Sequence, residues 1–121
     1  MTTASAKAKG RRLQQQVCRE LLEAGKPFGL EPDDITSRSM GCPGADILVS
    51  PAASKVFGNL VWECKNVEKL NVPTVFRDHA EKYPNNTPVL AHKRNKTEPL
   101  VTIRLADFIR LLVSGINVKG N

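Results

Sequence analysis

Apolar residues recur along this chain with two periods. Leu13, Val17, Leu21 and Ala24 return every three or four positions, the spacing that gathers side chains on one face of a helix, and Gly25 with Pro27 ends the run. A first helix is predicted over residues 11–24. The stretch "LEPDDITSRSMGCPG" has no sustained period and is rich in Pro, Gly, Ser and Asp, so it reads as a loop with room for a short strand at 35–37. Residues 46–50 and 60–65 are short apolar runs, predicted to form the two strands of a hairpin joined by a wide turn, "PAASKVFGN". Val72, Val75, Phe76, Ala80 and Tyr83 restore helical spacing, with Pro73 in the first turn where it is tolerated. "PVLAHKR" and "LVTIR" form a β-rich pair around "NKTEP", and Leu105, Phe108, Ile109, Leu112 and Val113 mark a closing helix before Gly115. The order αββαββα, with no internal repeat, predicts an α/β fold: a small mixed sheet flanked by helices.

Charge adds a partner to this picture. Eighteen Lys and Arg against twelve Asp and Glu leave a formal +6, which favours polyanions, nucleic acid first among them. Lys7, Lys9, Arg11 and Arg12 cluster ahead of the first periodic pattern. Residues 1–10 therefore read as a flexible basic arm able to track phosphates, and residues 11–121 as a single domain. Lys93, Arg94 and Lys96 flank a predicted turn and are further candidates for phosphate contact. No run of 18 apolar residues and no apolar leader is present, so a soluble, intracellular protein with no membrane partner is expected. Cys18, Cys42 and Cys64 lack metal-ligand spacing and read as reduced thiols.

The chemistry sits on the strands. Side chains alternate along "LVWECK", so Val61, Glu63 and Lys65 share one face while Leu60, Trp62 and Cys64 take the other, the core. Asp46 can join Glu63 and Lys65 from the neighbouring strand. Two carboxylates suit Mg²⁺, with Mn²⁺ able to substitute, because these hard cations take oxygen ligands and retain waters. The Lys65 ammonium would then orient or deprotonate an attacking water, or offset charge on a phosphate. The plainer alternative is a solvated Glu–Lys pair on an edge strand, worth little. His79 and His92 fall within regular elements and read as structural or solvent-facing, and Glu68 as the partner of a nearby lysine.

In "GADILVS...LVWECKN" this chain resembles the PD-(D/E)XK nuclease superfamily, with Asp46, Glu63 and Lys65 matching its Asp and Glu-X-Lys positions. "KGRRLQQQVCRELLEA" is similar to the opening helix of Holliday junction resolvases and related small phage endonucleases. The likeness covers most of the chain, from Lys9 to about Val113. It implies a restriction-endonuclease-like αβββαβ core, Mg²⁺-dependent hydrolysis of phosphodiesters in branched DNA, a homodimer, and a host-cell cytoplasm if phage-encoded. The acidic residue of the resolvase helix is matched here by Gln14. Either Gln14 completes the site, or Glu20 replaces it from another turn, or the site works with two carboxylates. Two alternatives stand beside this reading: a nicking or sequence-targeted phage-type endonuclease, and a non-catalytic DNA-binding module on the same fold.

Overall fold

The computed structural model describes residues 3–39 and 43–120. A long helix, α1 (Thr3–Gly25), leads into a short antiparallel pair, β1 (Ile35–Ser37) with β2 (Ile47–Val49). Helix α2 (Pro51–Phe57) follows, then β3 (Leu60–Asn66), α3 (Val72–Lys82), β4 (Thr87–Lys93), β5 (Leu100–Thr102) and α4 (Leu105–Gly120). β3 and β4 run parallel, as a crossover through α3 requires, and β5 returns antiparallel on β4. The architecture is mixed α/β, with a mixed three-stranded sheet in the order β3-β4-β5 and a separate two-stranded sheet.

Three features depart from the sequence-based expectation. The first helix starts at Thr3, so the segment expected to be a basic arm is its opening turns. Alanine and lysine are strong helix formers, and they carry this stretch without an apolar face, so hydrophobic periodicity had nothing to register. The expected hairpin is absent: β2 pairs with β1, and the presumed turn "PAASKVF" is α2. Ser50 caps that helix, its Oγ accepting from Ala53 N at 3.0 Å, Pro51 occupies the first turn and Ala53 is fully buried. Gly58 ends it at φ +92°, a backbone conformation that only glycine adopts without strain. Finally, α4 continues through Gly115, and its apolar stripe does not enter the core.

The Ser50 hydroxyl also donates to Asp34 Oδ1 at 2.6 Å, and this bond, with the Glu31 N–H, holds the Asp34 carboxyl below its ordinary range. Ser50→Ala is expected to lower stability by about 1 kcal/mol in urea denaturation, through loss of the cap.

Parity along β3 and β4 separates two faces. Trp62 and Cys64 lie in register with Val89 and Ala91, and all four join Leu13, Val17 and Cys18 of α1 with Ile35 and Ile47 in the main core. The opposite face carries Val61, Glu63 and Lys65 beside Pro88, Leu90 and His92, and α3 packs there. Trp62 and Cys64 are thus core residues, as their parity predicted. Cys18 and Cys64 are buried free thiols, and burial pushes the Cys18 thiol up to about 11; Cys42 lies outside the described residues. Among the described residues, no helix is long and apolar enough to cross a membrane.

Candidate active site

Asp46 stands where the two sheets meet. Its carbonyl accepts from Arg38 N at 2.8 Å, its N–H donates to Trp62 O at 3.2 Å, and its Oδ2 accepts from Cys64 N at 2.8 Å. The turn before it is held by Arg38 Nε donating to Ala45 O at 2.7 Å. Gly44 takes φ +110° there, and a Cβ at that position would come within 2.8 Å of the Arg38 guanidinium. These bonds set the aspartate beside β3 without a β2–β3 ladder.

Glu63 and Lys65, two residues apart on β3, point to the α3 side, with Lys65 Nζ 3.8 Å from Glu63 Oε1. A cavity of about 190 Å³ lies between them and Val75, Asp78, His79 and Lys82 of α3. Burial, and after it the Asp46 charge, push the Glu63 carboxyl up to about 7, while Lys65 and more weakly Lys82 pull the other way. In the absence of a bound cation, burial beside Asp46 therefore favours the protonated form of Glu63 well above the ordinary carboxylate range.

The sequence reading placed His79 among structural residues, and the structure brings it to this cavity. It is nearly fully buried, and its Nε2 lies 2.9 Å from Val61 O. A carbonyl only accepts, so Nε2 carries the proton of the neutral ring and Nδ1 is left as a lone pair. Nδ1 has no hydrogen-bond partner and faces Glu63 Oε2 at 3.7 Å. Burial holds the imidazole below its ordinary pKa, which favours this neutral form. The signal was legible: His79 sits in the stripe Val72, Val75, Phe76, Ala80, as a polar residue on the face that α3 turns to the sheet.

The other candidates lie on α1, β4 and the loops beside them. Gln14 is buried on α1, and Glu20 is not among the charged groups acting on Glu63, which are Asp46, Lys65 and Lys82. Glu20 is exposed and accepts from Gln16 Nε2 at 2.9 Å. His92 bonds Thr102 Oγ1 at 2.9 Å, and Glu68 accepts from Asn95 N at 2.8 Å instead of pairing with a lysine. Lys7, Arg11 and Arg12 are exposed on α1, but Lys9 is buried, its ammonium without an acceptor, and does not line the surface expected of a phosphate track. Arg94 and Lys96 are exposed beyond β4, and Lys93 is half-buried with Nζ donating to Arg94 O at 3.0 Å.

The donor chemistry of the Asp46–Glu63 pair fits a hard divalent cation. The Asp46 charge acts on a partly buried Glu63 whose other neighbour is the His79 lone pair, and acceptors gathered this closely call for a proton or a cation. Among the described residues, no three His, Cys, Asp or Glu side chains are grouped to hold a metal by protein ligands alone. Mg²⁺ does not need such a cage, since it ordinarily keeps several waters and takes one or two carboxylates with phosphate oxygens. Comparison of the chain with protein-family models, curated proteins and solved structures gave no match.

Proposed function

We propose that this protein is a metal-dependent endodeoxyribonuclease of restriction-endonuclease-like core, acting on branched DNA in the manner of the Holliday junction resolvases it resembles in sequence. The observation that carries the reading is the meeting of Asp46 with Glu63 and Lys65 of β3, with the Glu63 carboxyl pushed up by burial and by its acidic neighbour. Asp46 and Glu63 would hold Mg²⁺ or Mn²⁺, which supplies Lewis-acid polarisation of the phosphate and acidifies a water. Lys65, with its side chain 43% exposed, presents its ammonium to solvent, where it offsets charge developing on the phosphate oxygens. His79, fixed by the Val61 carbonyl, walls the buried side of Glu63 and restricts where that carboxylate can turn. The exposed cations on α1 and beyond β4 supply sequence-independent phosphate attraction.

A four-way junction, a nicked duplex and a linear duplex incubated with Mg²⁺, Mn²⁺ or EDTA test the reading. Cleavage of the junction with either metal and none in EDTA is expected. Cleavage of the linear or nicked duplex alone favours the sequence-targeted or nicking alternative, and binding without cleavage in every metal favours the non-catalytic module.

The homodimer belongs to the same proposal, and α4 supports it. This helix meets the body through Arg110, which the i,i+3 bridge to Asp107 at 2.7 Å orients and which donates to Thr87 Oγ1 at 3.2 Å, and through Leu111 above Gly58. Its other side leaves Leu105 at 74% exposure and Phe108, Ile109, Leu112 and Val113 about half exposed, next in the chain to exposed Leu100 and Val101 of the edge strand β5. That stripe has no charge to repel its own copy. Covering the exposed half of five such side chains is worth on the order of 5 kcal/mol per protomer. Phe108→Glu combined with Leu112→Glu is expected to convert a dimer to a monomer in sedimentation velocity at micromolar protein, with paired junction incisions replaced by single nicks.

A further inference from the structure

The sheet face opposite the carboxylates carries a second concave site. There α1 places Arg12 and Arg19 two turns apart, and the ends of the parallel pair bring Asn66 and Lys93 into register with each other. With Gln15 and Gln16 these groups line a cleft of about 310 Å³ whose wall contains no acidic residue. Neither arginine has an ion-pair partner among the described residues, and the Lys93 ammonium donates only to a backbone carbonyl. Three cations gathered around a cleft with no acidic residue in its wall repel one another, a cost that an incoming anion relieves.

Asn66 narrows the kind of anion. It is more than nine-tenths buried; its Nδ2 donates to Lys9 O at 3.2 Å, and its Oδ1 has no donor. A buried acceptor left unanswered costs roughly 1–3 kcal/mol. A free phosphate, ionised and rich in acceptors, answers the cations and leaves Oδ1 as it is. A nucleotide brings both the phosphate and a donor, from a base N–H or a sugar hydroxyl.

We infer that this cleft binds one nucleotide of a nucleic-acid strand, its phosphate on Arg12, Arg19 and Lys93 and a base or sugar donor on Asn66. Lys65 and Asn66 are consecutive and point to opposite faces, so the cleft and the carboxylate site flank the same end of β3 from its two sides. A strand crossing that end would be gripped on one side of the sheet and presented to Glu63 and Lys65 on the other. The inference rests on the nucleic-acid reading above, but not on its chemistry.

The test is fluorescence anisotropy of a fluorescein-labelled, mixed-sequence, ten-nucleotide single strand with the full chain in EDTA, across a NaCl series, with inorganic phosphate as competitor. Arg12→Ala with Arg19→Ala is expected to weaken binding by about tenfold or more and, with two phosphate contacts gone, to flatten the dependence of log affinity on log salt by about 1.4. Lys26→Ala with Lys55→Ala, which removes the same net charge from exposed positions elsewhere, should leave the slope unchanged. Asn66→Ala should weaken binding by about three- to tenfold without moving the slope. Equal losses from the two double variants would overturn the site in favour of net charge alone. Wild-type affinity in a folded Asn66→Ala, or phosphate binding as tightly as the strand, would overturn the nucleotide assignment. The two arginines are exposed, so their variant decides the site even where Asn66→Ala unfolds. Strand binding in EDTA by a protein that cleaves nothing in metal would sink the nuclease reading and leave the cleft standing.

Discussion

Glu63→Gln is expected to lower metal-dependent junction cleavage by a factor of about 10³ or more and at the same time to make the metal-free protein more stable at pH 8. The first effect follows from losing one of the two anionic ligands proposed for the metal. The second follows from linkage. Burial raises the folded-state pKa of Glu63 from 4.5 to about 7, so between those values the folded protein binds more protons than the unfolded chain. The stability carried by the protonated group is complete below pH 4.5 and is lost as pH rises through 7. The full span is on the order of 3 kcal/mol. Glutamine keeps the shape of the neutral acid and does not titrate, so variant and wild type should coincide near pH 4.5 and separate by pH 8. His79 and His92, whose pKa values burial lowers, contribute with the opposite sign, and the difference between the two proteins removes their common part. Urea denaturation in EDTA at several pH values measures it. Adding Mn²⁺ at pH 8 should stabilise the wild type and not the variant. Curves that stay parallel from pH 4.5 to 8 would show that burial and the Asp46 charge do not raise Glu63.

Asp46 should divide into chemistry and architecture under two substitutions. Asp46→Asn removes the charge and keeps an oxygen able to accept from Cys64 N, so cleavage is expected to fall as far as in Glu63→Gln with stability held to within about 1 kcal/mol. Asp46→Ala leaves the Cys64 N–H without its acceptor where β2 meets β3 and should cost about 1–3 kcal/mol in addition. Both changes remove the neighbouring charge that raises Glu63, so the pH-dependent loss of stability should shift to lower pH in each. Equal stability of the alanine and asparagine variants would show that the Asp46–Cys64 bond does not hold the sheets together. Wild-type cleavage by Asp46→Asn would remove Asp46 from the metal site.

Much of this was legible in the chain because period-2 alternation is a local property. Once residues 60–66 form a strand, Glu63 and Lys65 must share a face and Trp62 and Cys64 must take the other. The helical stripe of α3 and the β4–β5 return are local in the same sense. Partner choice is not. The short run 47–49 is equally compatible with β1 and β3, and its pairing was decided by the Ser50–Asp34 bond and by α2, whose Pro51 and Gly58 had read as turn punctuation. The first helix follows the same logic: its phase gathers Leu13 and Val17 on one face, but only the tertiary packing decides that this face meets Trp62, Cys64, Val89 and Ala91. His79 was visible as a polar residue in an apolar stripe, while the direction of its Nδ1 depends on a carbonyl eighteen residues away. On α4 the sequence determined an amphipathic helix and nothing about what covers it. The tertiary structure turned Asp107 inward and left Leu105 and Phe108 outside, because hydrophobic periodicity specifies that a face be buried without specifying whether the same chain buries it.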